Sequence, residues 1–91
     1  TYRTVQPMNI KASAKFEGGF IEIYLKIENE KITACRIFGD FMSTISIEIL
    51  EAALTGSIFS PDEIRKAVNA LPLRNLLGDI TSDELIKCIF N

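Results

Sequence analysis

The chain has no histidine among its 91 residues. That excludes a Ser–His catalytic pair and leaves nothing to complete a zinc site. Only two cysteines occur, Cys35 and Cys88, far apart and outside any CxxC or Cys/His spacing. Each therefore reads as a small core hydrophobe. Two cysteines without a disulfide framework suit a reducing compartment, and we expect the cytoplasm. No apolar run approaches the ~20 residues that span a bilayer. No signal-peptide pattern opens the sequence. It begins on Thr1 rather than Met, from which we expect a processed or excised piece of something longer. An excess of positive charge is missing too: ten Lys and Arg stand against twelve Asp and Glu, a formal net charge of -2. Nucleic acid and anionic membrane call for a basic face, so neither is expected as a partner. Gly18-Gly19 lacks the further glycines, the lysine and the following helix of a nucleotide loop.

What is present is the composition of one small globular domain, 47% hydrophobic and 24% charged. The stretch Arg36-Ile37-Phe38-Gly39-Asp40-Phe41 divides it. Before it the apolar residues recur every second position, and after it every third to fourth. Residues 1–8 have no period and contain Pro7, and they read as a linker or tail; the domain is expected over 9–91.

Asn9 to Glu17 and Phe20 to Glu28 alternate as two strands about Gly18-Gly19. A two-residue turn on those glycines would set Phe16 opposite Ile21, Ala14 opposite Ile23, Ala12 opposite Leu25 and Ile10 opposite Ile27, with Lys15 meeting Glu22. A one-residue slip would ruin every pair. Lys31 to Phe38 reads as a third antiparallel strand, reached through Asn29-Glu30. Its facing is open. Ile32, Ala34 and Phe38 favour one phase, Cys35 and Ile37 the other, and a bulge near Ala34-Cys35 would reconcile them.

Three helices should follow. Ser46 to Thr55 carries an Ile47, Leu50, Leu54 stripe closed by Gly56. Ser60-Pro61-Asp62-Glu63 and Thr81-Ser82-Asp83-Glu84 are two helix-start capping boxes, with Phe59–Ile64 and Ile80–Leu85 as hydrophobic staples. Between those helices Leu73 to Leu77 reads as one short turn ending at Gly78. The expected fold is α+β: a three-stranded antiparallel sheet with about three helices packed on one face.

Little in this pattern resembles catalytic machinery. Asp62-Glu63 and Asp83-Glu84 look like acid pairs, but they stand where helix dipoles favour negative charge. Arg65, Lys66, Arg74 and Lys87 read as a solvated face. Phe20 and Tyr24 share the polar face of the second strand, as a docking patch or an ordinary half-exposed sheet face. Asp40 has two readings: a turn former or helix cap that uses Gly39 for the bend, or an acceptor or interface contact at the sheet's end.

The ordered set Gly18-Gly19-Phe20-Ile21-Glu22, Lys31-Ile32 and Arg36-Ile37-Phe38-Gly39-Asp40-Phe41 resembles the C-terminal domain of lipoate–protein ligases. That pattern runs through a G-x-hydrophobic-E strand, an x-G-x-I turn, a hydrophobic-x-G-D-F junction and a helix ending L-x-G, here Leu54-Thr55-Gly56. Gly78-Asp79-Ile80 with Asp83-Glu84-Leu85 fits its closing segment. Asn29-Glu30-Lys31 departs from it by lacking the turn glycine. The resemblance covers roughly residues 16–90.

The resemblance implies a fold similar to sulfur-transfer and iron–sulfur scaffold proteins, and an accessory role. In that family a larger N-terminal domain carries the arginine- and glycine-rich lipoate loop and the lysine that contacts the adenylate; this chain has neither. The small domain helps the large one activate lipoate with ATP and moves relative to it, and some members carry it as a separate protein. The resemblance therefore implies no catalytic residue and no metal here, ATP, Mg and lipoate bound only through the catalytic domain, and that domain as the partner, in the same chain or as a separate subunit. Gly39, Asp40 and Phe41 are the expected contacts. A protein-interaction module, or a sulfur-transfer or iron–sulfur-scaffold module with no ligase role, is the alternative. Sulfur transfer would need a reactive, stabilised thiolate.

Overall fold

Alternating strands that expose one polar face must bury the other, and three of them do so here beneath a layer of helices. A computed structural model describes residues 9–90. The expected linker or tail over 1–8 lies outside the described residues. The sheet has the order β1-β2-β3, with β1 Ile10–Phe16, β2 Gly19–Glu28 and β3 Lys31–Gly39. The helices are α1 Glu48–Leu54, α2 Pro61–Asn69, α3 Leu73–Leu77 and α4 Ser82–Phe90. This is the expected α+β arrangement. The short turn before Gly78 is the five-residue α3 and makes a fourth helix.

Both strand pairs are antiparallel, and the first differs from the expected register by two residues. Phe16 faces Gly19, Ala14 faces Ile21, Ala12 faces Ile23 and Ile10 faces Leu25. The turn is therefore Glu17-Gly18, with Gly19 inside β2. A shift of two keeps every side chain on its own face, so the apolar pattern is satisfied either way. Packing against the far end of the chain accompanies the choice. A Cβ at Gly18 would lie 2.8 Å from the Ile80 backbone nitrogen, so only glycine fits this turn without displacing that backbone. Lys15 consequently faces Phe20, and Glu22 pairs with Lys11 instead, at 3.7 Å.

The phase of β3 is resolved by a bulge. Ile27 pairs with Ile32 and Lys26 with Ala34, which leaves Thr33 as the extra residue, one step before the expected place. Ile32, Cys35 and Ile37 are all buried as a result, while Arg36 and Phe38 face outward.

Ile21, Ile23 and Leu25 of β2 form the floor of the core. Leu50 and Leu54 of α1, Ile64 and Val68 of α2, Leu76 and Leu77 of α3 and Leu85 and Ile89 of α4 cover it. Helix α1 is shorter than the expected Ser46 to Thr55. Ser46 Oγ accepts the Glu48 N–H at 3.2 Å, and Thr55 is already extended. The capping box at Thr81 is complete: Thr81 Oγ1 accepts the Glu84 N–H at 3.1 Å, and Glu84 Oε1 accepts the Thr81 N–H at 3.0 Å. That at Ser60 is half made. Ser60 Oγ accepts the Glu63 N–H at 3.2 Å, but the Ser60 N–H goes to the Ile58 carbonyl and the Glu63 carboxylate to Lys66, at 3.7 Å. No helix among the described residues is long and apolar enough to cross a membrane.

Candidate partner interface

The predicted contacts Gly39, Asp40 and Phe41 leave the end of β3 together. Gly39 pairs with Ile21 at the last rung of the ladder. Asp40 then binds Phe20 twice: its N–H donates to the Phe20 carbonyl at 3.1 Å, and its Oδ1 accepts the Phe20 N–H at 2.6 Å. Asp40 thus extends the ladder by one rung and satisfies a backbone donor at the start of β2. A Cβ at Gly39 would collide with the Phe20 carbonyl oxygen and lie 2.7 Å from the Phe41 ring. Glycine is required here for close approach. The Phe41 ring folds back toward the core, half-buried.

Around this anchored corner lies exposed apolar surface. Phe38 is 53% exposed, Met42 78% and Phe20 37%. Tyr24 meets Phe38 edge to face, with centroids 5.9 Å apart. Phe20 and Tyr24 were visible as a pair in the sequence. Phe38 and Met42 were not. Phe38 sits in a strand whose facing depends on the bulge at Thr33, and Met42 follows the strand in a segment with no period to read.

Other chemistry-bearing groups are engaged in structure. Asp83 pairs with Arg65, Asp79 with Arg74 at 3.4 Å, and Glu84 closes its capping box. Both cysteines are free and buried. Burial, with the Glu51 charge adding to it, pushes the Cys35 thiol up from 9.0 to about 12. Burial also raises Cys88. Neither is the stabilised thiolate that sulfur transfer needs. Among the described residues no group of three His, Cys, Asp or Glu side chains gathers to hold a metal ion. A cavity bounded by Ser13, Ala14, Phe16, Lys87 and Cys88 holds about 100 Å³. Ligand pockets start near ~300 Å³, so this cavity does not fit a nucleotide. The corner combines a backbone fixed by two hydrogen bonds with exposed apolar surface and an exposed carboxylate.

A family model described as bacterial lipoate protein ligase C-terminus matches residues 6–89. The chain is 39% identical over 77 residues to a lipoate–protein ligase of Streptococcus pyogenes, covering 85% of this chain and 23% of that protein. It is 35% identical over 79 residues to lipoate–protein ligase 1 of Staphylococcus aureus, covering 87% and 24%. It is 27% identical over 82 residues to lipoate-protein ligase LplJ of Bacillus subtilis, covering 90% and 25%. The chain thus spans about a quarter of the length of the curated relatives it matches.

Proposed function

Since the chain belongs to the family of bacterial lipoate protein ligase C-termini, we propose that it is the accessory domain of a lipoate–protein ligase. It assists a separate catalytic domain that uses ATP and Mg to convert lipoate to lipoyl-adenylate, before transfer to an acceptor protein. The catalytic domain holds those ligands, in the same chain or as a separate subunit. The observation that carries this reading is the match over 6–89 to a C-terminal family, by a chain that spans only a quarter of ligase relatives. The small cavity and the raised thiols support an assisting role over an independent chemistry. Two buried, unpaired cysteines suit a cytoplasmic location.

Gly39, Asp40 and Phe41 contact the catalytic domain in this reading. Their support is a corner fixed by two Asp40–Phe20 hydrogen bonds and flanked by exposed Met42. A rigid apolar spot beside an exposed carboxylate is suited to anchor a domain contact.

The test is lipoate-dependent pyrophosphate release from ATP by the catalytic domain of the same source, with and without this chain. Release that requires the chain is the expected result. Equal release in both, from a demonstrably folded catalytic domain, overturns the accessory role. Asp40→Asn and Asp40→Ala then separate fold from contact. Asn keeps an oxygen for the Phe20 N–H, whereas Ala loses that bond at a cost of about 1 kcal/mol. A contact that uses the charge weakens in both variants, as read by the concentration of chain that restores half-maximal release.

A further inference from the structure

All four helices pack on one side of the sheet, so the other side meets solvent. That outer face is unlike the chain as a whole. Its register places Lys11, Tyr24 and Arg36 in one row across the three strands, and Lys15 beside Phe20 in another. Lys11 Nζ sits 5.6 Å from the Tyr24 ring centroid, and Phe38 packs edge-on against the same ring. Among the described residues neither Lys15 nor Arg36 has an ion pair, and Lys11 reaches Glu22 at only 3.7 Å. A chain of net charge -2 therefore turns an aromatic spot rimmed by cations outward from its sheet.

We propose that this outer face, through Lys11, Lys15 and Arg36 around Phe20, Tyr24 and Phe38, docks the acceptor protein of the ligase by an acidic surface patch. The inference rests on the accessory-domain reading and adds to it a second surface and a second partner. Charge complementarity selects an acidic partner. A second copy is disfavoured because the face carries more cations than carboxylates, Glu22 and Glu28 offsetting only part of Lys11, Lys15, Lys26 and Arg36. Nucleic acid is disfavoured because Glu22 lies mid-face, with Ser13 and Phe38 as its strand neighbours, so a phosphate chain crossing the rings would run over a carboxylate. A folded protein sets a donor against Glu22 instead. The catalytic domain is the weaker occupant because the corner at Gly39-Asp40-Phe41 already serves it in that reading, whereas electrostatic steering suits a partner that arrives from solution on every turnover.

The experiment uses the complete ligase containing this domain, with the unlipoylated acceptor protein of the same source as probe. Lys11→Glu, Lys15→Glu and Arg36→Glu are combined. The expected result is a rise in KM for the acceptor of about tenfold and a flatter salt dependence of kcat/KM. Far-ultraviolet ellipticity and the urea midpoint serve as the fold control, and lipoate-dependent pyrophosphate release without acceptor is read alongside them. An unchanged acceptor KM overturns the proposal, as does an RNA oligonucleotide that displaces the acceptor at ~0.15 M salt. Loss of pyrophosphate release from a folded variant overturns it in favour of a catalytic-domain contact. If the triple variant does not fold, Lys15→Gln with Arg36→Gln makes the same comparison, with an expected KM rise of about threefold. Absence of lipoate-dependent release from the unmodified ligase removes the functional reading itself, and this inference with it.

Discussion

Glu30 is the residue most at odds with its own backbone. It and Asn29 form the β2–β3 turn with φ of 67° and 52°, both in the left-handed region that a two-residue hairpin demands. Asn tolerates that region; Glu has no local compensation for its Cβ, and the cost is about 1–2 kcal/mol. Glu30→Gly removes the strain and adds some unfolded-state entropy, for a net gain of about 0.5–1 kcal/mol. Thermal melts should show Tm rising by about 2–6 °C, and a fall in Tm would mean that the Glu30 side chain makes a stabilising contact. Cys35 gives a second test at this scale. Its folded-state pKa is raised, so the protonated thiol stabilises the fold fully below the unfolded value of 9.0, and this is lost as pH rises toward about 12. Denaturant titrations should show stability falling across that window by an amount on the order of a few kcal/mol. Lys and Tyr titrate there as well, so the diagnostic is the difference from Cys35→Ala, which should flatten the slope. An identical slope in the variant would assign the loss to other groups.

The elements were legible where their signals are local. Alternation marked the strands, and Ser60 and Thr81 marked two helix starts, because a cap and its target lie three residues apart. What escaped depends on residues distant in sequence. Two offsets of β1 against β2 satisfy the same alternation, and the turn that forms lies against the Ile80 backbone. The bulge that turns Phe38 outward is set by pairing with Lys26 and Ile27. At the site, Gly39-Asp40-Phe41 was visible as a junction, but the partner of its carboxylate, Phe20, lies 20 residues away. The outer edge of β3 shows the same non-local logic. Its Ile32 N–H donates to the Ser57 carbonyl at 2.8 Å, and its Ile37 N–H to Glu51 Oε2 at 2.8 Å. A helix carboxylate thus closes an edge that would otherwise recruit another strand. Glu51→Ala leaves that amide without its acceptor in a part-buried place and should destabilise by about 1–3 kcal/mol. Glu51→Gln keeps an acceptor oxygen and should lose well under half of that. Urea midpoints decide it, and equal losses in both variants would assign the effect to charge rather than to the hydrogen bond.

At the scale of the whole molecule, one apolar cluster joins all four helices to the sheet, and no buried side chain among the described residues is polar or charged. A domain whose layers share a single core has no internal boundary along which to come apart, so unfolding should be all-or-none. The two thiols report on it from opposite layers: Cys35 lies in β3 and Cys88 in α4, each 7% exposed. In the native state both should react slowly with a thiol reagent at neutral pH, since each is buried and protonated. In rising urea both should become reactive at one midpoint, together with the loss of far-ultraviolet ellipticity and with an m-value of roughly 1 kcal/mol per molar. Single-cysteine variants separate the two signals. If Cys88 became reactive at lower urea than Cys35, α4 would be a detachable unit. Its detachment would uncover β1, against which it packs, and leave the sheet's outer face unchanged. A single midpoint ties the corner at Gly39-Asp40-Phe41 and the cationic outer face to one rigid frame. Substitutions on the outer face would then leave the corner in place, so that any change in binding is read at the outer face alone.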